Sequence, residues 1–389
     1  MARESVTDEV RRIMLAFADR TGLTSSQHPP RRYLWTDAHA VCNFLSLYRR
    51  TTTDEYRQLA QMLIDQVHNT LGKHRDDDPR RGWISGLSEK DGERHPTAGG
   101  LRIGKKLPER RPGDAFDERL EWDRDGQYFH YLTKWMHALC RAAILCDDPR
   151  YGRWAMQLAR AAHAGFAAES SHDRQKRFIW KMSIDLTMPL VPASSPHDSL
   201  DGYLTYNEIA HCASRLGESG TRTGLDAEIT DAAGMIRGQH WRTTDPLGIG
   251  GLLFDACRAS QLSAAGQIHD PAIAGALLGD IRESLLDYAS LASLGQAARF
   301  RLAFRELGLS IGLHAVSKMR AVPTNSSRPL DAALRADLEA LRDYEPMAGV
   351  ITDFWCNSAN RQRGSWRDHE DINSVMLATS LLPDEFLEV

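Results

Sequence analysis

Apolar residues recur along most of this chain three and four positions apart, the spacing of helices that bury one face. Val6 to Asp19 reads as a charged amphipathic helix ending at Gly22. Arg32 to Tyr48 reads as a strongly apolar helix with Asp37 and His39 in its first turns. Glu55 to Lys73 is a more polar partner with one stripe of Leu59, Met62, Leu63 and Val67. That pair predicts a helical hairpin, one member inside and one outside. The alternation continues. Apolar, inner-type helices are predicted to begin near residues 33, 127, 200, 247, 300 and 371. Outer-type helices are predicted over Arg153 to Phe166, Ala227 to Gly238, Pro271 to Ala289 and Leu330 to Asp343. In the inner helix from Leu247 to Cys257, Gly248, Gly250 and Gly251 permit close backbone approach.

Two stretches break the helical period. Residues 74 to 120 are rich in Gly, Pro and charge and read as a long loop. A loop of that length in a compact domain is usually functional, and Trp83, Ile84, Leu87, Leu101 and Ile103 are suited to pinning it as an ordered flap. The second stretch follows Phe166, where Phe178 to Leu186 is able to supply short strands, as is Ile103. No period-2 alternation is long enough to predict a sheet. The expected fold class is therefore all-α: inner helices ringed by outer ones in a double-layered (α/α)6 toroid. It is expected as a single domain over residues 1–389, with 74–120 as an inserted flap. No repeat of fixed length links the helices, which argues against an open solenoid.

The helix at the centre of the chain changes this from a fold prediction to a functional one. It belongs to the stretch Glu121 to Leu139, EWDRDGQYFHYLTKWMHAL, and follows a charged opening and a turn-forming Gly126. Leu132, Met136 and Leu139 form an apolar stripe. A second stripe, His130, Lys134 and His137, carries His and Lys beside Tyr131 and Trp135, residues that suit a cavity rather than a wet face. Similar aromatic and acidic clusters stand at the starts of other inner helices. They comprise Tyr33, Trp35, Asp37 and His39; His197, Asp198, Asp201, Tyr203 and Tyr206; Arg301 and Arg305; and Trp366, Asp368, His369, Asp371 and Asn373. Gathered at one end of a toroid, they would line a funnel. Asp198 and Asp371 each precede an apolar run and also suit helix N-caps.

The alternation of helices resembles the six-hairpin (α/α)6 architecture of many glycoside hydrolases, of polysaccharide lyases and of the N-acylglucosamine 2-epimerase group of sugar isomerases. The resemblance is architectural and carries no catalytic residue across. It implies a carbohydrate substrate, small molecule or oligosaccharide. Aromatic faces stack on a pyranose, and carboxylates, amides and cations bind its hydroxyls. The leading expectation is a glycoside hydrolase working through two carboxyl groups, Asp125 or Asp123 with Asp201 or Asp371 opposite. Trp35, Asp37, Gln127, Tyr128, Tyr131, Lys134, His197, Tyr203, Arg301, Trp366 and His369 are the expected substrate-binding residues. The alternative is a sugar epimerase or isomerase with histidine as proton carrier, a role that His130, His197 or His369 would fill. A non-catalytic binding or scaffold protein is the third reading.

Composition excludes more than it adds. Lys and Arg number 48 against 52 Asp and Glu, for a net charge of −4, so no sequence-wide field exists to hold nucleic acid. The six cysteines form no C-x-x-C pair and read as free thiols in a cytoplasmic protein. No run of apolar residues is long enough to span a membrane. No metal or cofactor motif stands out, and oligomeric state is not legible. The segment HPTAGGLRIGKKLPER (95–110) is glycine-rich and basic, with Arg102 and Lys105 placed to meet an anionic group, but it is not a phosphate-binding loop of the P-loop type.

Overall fold

The computed structural model describes residues 3–25, 27, 29–169, 175–217, 224–268, 272–291, 293–322, 332–362 and 364–389. In chain order the elements begin with α1 (Arg3–Arg20), α2 (Leu34–Thr51), α3 (Asp54–Leu71), α4 (Glu89–Arg94), α5 (Glu118–Asp123), β1 (Gln127–Tyr128), α6 (Phe129–Cys146) and α7 (Pro149–Phe166). There follow β2 (Ala167–Glu169), β3 (Lys176–Met182), β4 (Pro189–Ser194), α8 (Pro196–Arg215), α9 (Asp226–Ile236), α10 (Pro246–Ala264) and α11 (Ala272–Ser290). The chain closes with α12 (Ala303–Ala321), α13 (Ala332–Leu341), α14 (Pro346–Cys356), α15 (Ser358–Arg361), α16 (Gly364–Arg367) and α17 (Glu370–Leu381). The class is all-α. No described helix is long and apolar enough to cross a membrane.

Contacts divide the chain into two compact units. One comprises Met1–Phe17, Arg49–Thr51 and Gln239–Val389, the other Ala18–Tyr48 and Thr52–Gly238. In the first unit α12 is central, packing against α10, α14 and α17. The α10–α12 contact is made backbone to backbone. A Cβ on Gly250 would lie 2.1 Å from the Gly308 carbonyl oxygen, and one on Gly312 would lie 2.5 Å from the Gly250 oxygen. Of the three glycines expected to permit this approach, Gly250 is the one that makes it, whereas Gly251 faces open space.

In the second unit α6 packs on α7 and α8, and α3 also meets α6. Asp148 caps α7 by accepting from the Arg150 N–H, with Pro149 at the first helical position. The connection after α7 holds an antiparallel sheet in the order β1–β3–β2, with β4 also on β3. Only the β3 part of it matches the short strands expected from Phe178, and Ile103 joins no strand.

Gly126, at φ +147°, makes the expected turn between the short α5 and the extended connection that leads into α6. Helices also stand where none was expected. The expected flap contains α4, started by Ser88, whose side chain accepts from the Asp91 N–H. The helix α14, PMAGVITDFWC, buries Ala348, Ile351, Thr352 and Trp355 along one face. The expected starts at Pro271 and Leu330 lie outside the described residues.

Since the α10–α12 backbones touch at Gly250, Gly250→Ala must force the helices apart. Thermal unfolding of that variant is expected to show a loss of about 1–3 kcal/mol. An unchanged midpoint would contradict the close approach.

Candidate functional site

The second unit places a line of polar residues inside its helix pair. On α6, His130, Lys134, His137 and Arg141 follow at intervals of four, three and four, one face of the helix. On α8, Asp198, Asp201, Thr205 and Glu208 do the same. They meet in three rungs. His130 Nδ1 lies 3.8 Å from Asp198 Oδ1, Lys134 Nζ donates to Asp201 Oδ2 at 2.7 Å, and His137 Nδ1 lies 2.7 Å from Glu208 Oε1. Residue numbers rise together on both sides of the ladder, so α6 and α8 run parallel, with α7 returning the chain between them.

The rungs differ in their access to water. His137 and Glu208 are sealed, Lys134 keeps a small exposed part, and a third of the His130 side chain is open. Thr133 also donates to Asp201. On α2, His39 lies close enough to Lys134 and His137 that their charges, after burial, hold its ring well below the usual histidine value. Buried charges survive only when paired, and the two lower rungs supply that pairing.

The open rung behaves differently. Burial first, and the Asp201 charge second, push the Asp198 carboxyl up to about 8 against the opposing pull of Lys134. Asp198 also sits in the first turn of α8, where the helix dipole favours a charged carboxylate by about 0.3–1 kcal/mol. That is less than one pKa step and does not offset the burial. Burial and Lys134 push His130 down to about 4, Asp201 opposing. At neutral pH both members of the dyad are therefore uncharged. Among the described residues neither His130 Nδ1 nor Asp198 Oδ2 has a hydrogen-bond partner. With Nδ1 enclosed against Asp198, Nε2 is the nitrogen left to face a ligand.

Aromatic rings wall this dyad. Tyr128 stacks on His130 at 5.4 Å between centroids, Tyr131 meets it edge-on at 4.8 Å, and Trp180 from β3 lies parallel at 6.3 Å. Tyr33 and Tyr131 share a hydroxyl–hydroxyl bond of 2.7 Å, and Trp35 packs on Tyr131 at 5.7 Å. Burial raises both tyrosines, Tyr33 to about 12, so each hydroxyl keeps its proton as a donor. A cavity of about 290 Å³ opens beside the same two rings, Tyr128 and Trp180, with Phe116, Trp122, Val191 and Pro192 on its other sides.

Several expected site residues have other partners. Asp125 is fully buried. Its Oδ2 accepts from Arg102 at 2.6 Å and Arg75 at 3.4 Å, and its Oδ1 from the backbone N–H groups of Gly104, Lys105 and Gly126 at 3.0, 3.3 and 3.1 Å. Asp123 is exposed at the end of α5. Asp37 accepts from the Tyr33 N–H and Arg32, closing the start of α2. The Gln127 side chain ties Leu101 N–H to the carbonyls of Gly99 and Ile184. His197 is half-buried at the start of α8, and Tyr203 is buried further along it. In the first unit Arg301 is locked onto Glu306 by 2.6 and 2.8 Å bonds, and Trp366 stacks on Trp355. There His369 is the exposed N-cap residue of α17, with Asp371 half-buried in its first turn.

No family model matches the chain, and no curated protein does. Several solved structures resemble it. One is the cellobiose 2-epimerase of Spirochaeta thermophila, with a TM-score of 0.48 and 12% identity over the whole of both chains. Another is a D-mannose isomerase, with a TM-score of 0.44 and 11% identity over 88% of this chain and 85% of that one. The glycoside hydrolase expectation is corrected on the geometry: the expected carboxylate pairing fails because Asp125 is spent on two arginines and three backbone amides, and Asp201 on Lys134.

Removing the Asp125 carboxylate would strand the buried Arg102. Asp125→Ala is expected to lose about 3–5 kcal/mol in thermal unfolding and to expose residues 74–120 to limited proteolysis. A stable variant cut no faster than the parent would contradict the clamp.

Proposed function

We propose that this protein is a sugar isomerase or epimerase, in which His130 moves a proton at a carbon beside the carbonyl of an open-chain sugar. The observation that carries the reading is the uncharged His130–Asp198 dyad at the open end of an otherwise charge-paired ladder. A base for this step has to be unprotonated near neutral pH. A charged Asp198 would hold the imidazole protonated, whereas a neutral carboxyl leaves Nε2 with its lone pair. His130 takes the C–H proton, and the electron pair moves onto the carbonyl oxygen. The Tyr33–Tyr131 hydroxyl pair supplies donors for that developing charge. The hydroxyl proton of the resulting enediolate passes to the former carbonyl oxygen, and His130 returns its proton to the former carbonyl carbon. That completes an aldose–ketose isomerisation with one base. Delivery of a proton to the opposite face of the original carbon, by a donor on that face, gives the epimer instead. Tyr128, Trp180 and the adjoining cavity offer ring faces and room for a sugar.

The test is solvent exchange. Incubation with a panel of aldoses and ketoses in D2O is expected to place deuterium beside the carbonyl of at least one, read by proton NMR. His130→Gln is expected to lower that rate by about 10²–10⁴-fold. Exchange surviving at full rate in the variant would remove His130 from the reaction.

The pH profile follows from the direction of the His130 shift. The base is lost when His130 gains a proton, so kcat/KM should rise as pH passes about 4 and level off well before 6. Asp198→Asn, which mimics the neutral carboxyl, is expected to leave that limb in place. A limb near the ordinary histidine value of about 6.5 would contradict the dyad.

A further inference from the structure

The Asp125 cluster is costly for a loop, and what it holds still is the backbone on both sides of Lys105. The Lys105 N–H donates to Asp125 Oδ1 at 3.3 Å, and its carbonyl accepts from Arg75 Nη1 at 2.7 Å. The next carbonyl, of Lys106, accepts from Arg75 Nη2 at 2.9 Å, and Arg102 anchors the cluster to the Thr70 and Lys73 carbonyls at 2.7 Å each. Gly104, at φ +92°, lies against the Arg32 carbonyl so closely that a Cβ would stand 2.2 Å from it. This backbone also meets the start of α2, where the Leu34 N–H donates to the Ile103 carbonyl.

From that fixed base the Lys105 ammonium reaches over the Tyr33 ring, 5.6 Å from its centroid. Tyr33 is the ring bonded to Tyr131, which stands against His130. Tyr33, Lys105, His130, Tyr131, Lys134 and Trp180 are all half-buried, the residues of this neighbourhood that keep some surface. The nearest carboxylates acting on Lys105 are Asp123 and Asp125, and it makes an ion pair with neither among the described residues. The neighbouring Lys181 ammonium is by contrast satisfied, by the Glu121 and Arg124 carbonyls and the Glu121 carboxylate at 3.4 Å. A half-buried ammonium with no directly paired carboxylate among the described residues, on an immobilised backbone at the wall of a site, is a receptor for an anion.

We propose that Lys105 binds an anionic substituent, a carboxylate or a phosphate, on the substrate of the His130 site. The proposal rests on the sugar reading of that site and narrows its substrate class to charged sugars.

The experiment is calorimetric titration of the full chain at low ionic strength with D-glucose, D-glucuronate and D-glucose 6-phosphate, the two charged probes separating carboxylate from phosphate. At least one is expected to bind about tenfold tighter than glucose. Lys105→Met should erase that advantage while leaving glucose affinity unchanged, and Lys105→Arg, which keeps the charge, should retain it. Glucose binding as tightly as both charged sugars would overturn the proposal alone, as would an advantage that persists in Lys105→Met. Binding of none of the three, joined to absent deuterium exchange, would overturn the sugar reading with it.

Discussion

Two parallel helices that bury a line of ionisable side chains between them must satisfy each one, and the α6–α8 ladder does so by two different means. Its lower rungs are closed by direct contacts, an ion pair of Lys134 with Asp201 and a hydrogen bond between His137 and Glu208. Its upper rung avoids charge instead, with Asp198 protonated and His130 neutral. The means are linked, because the Asp201 carboxylate is one cause of the high Asp198 value and Lys134 is one cause of the low His130 value. An interior that needs balanced charge at the bottom thereby leaves an uncharged base at the top.

The irregular segments position what the ladder does not. Asp125 fastens residues 102 to 106 to the ends of α3 and the start of α2, and Gln127 fastens Leu101 and Gly99 to Ile184. These are hydrogen bonds made by fully buried groups, so the wall beside Tyr33 is rigid where a long loop would otherwise drift. The sheet serves a similar end, since β3 carries Trp180 to the ring of His130.

Helix periods carried much of this into view. The inner and outer helices stand close to their expected positions, and the polar stripe of His130, Lys134 and His137 was legible from spacing alone. What periodicity does not show is which partner a polar residue meets. Asp125 and Gln127 have the side chains of a sugar site, yet each is consumed by groups that only tertiary contact brings near, and Asp37 is consumed by Tyr33 and Arg32 at the start of its own helix. Asp198 suited either a cap or a site. Its value follows from burial beside Asp201, one turn along the same helix and opposite Lys134. Trp180 lay in a stretch too short and irregular to single out, whereas the turn at Gly126 was legible from its residue type. The expectation of paired carboxylates failed for the same reason: sequence counts acids, whereas their availability depends on who already holds them.

The account turns on the protonation of one dyad, and carbon and nitrogen NMR of selectively labelled protein reads it directly. The predicted result is an Asp198 carboxyl still protonated at pH 7, titrating at about 8, beside a His130 imidazole neutral down to about pH 4. An ionised Asp198 facing an imidazolium at pH 7 would contradict it, since that pair has no free base to offer.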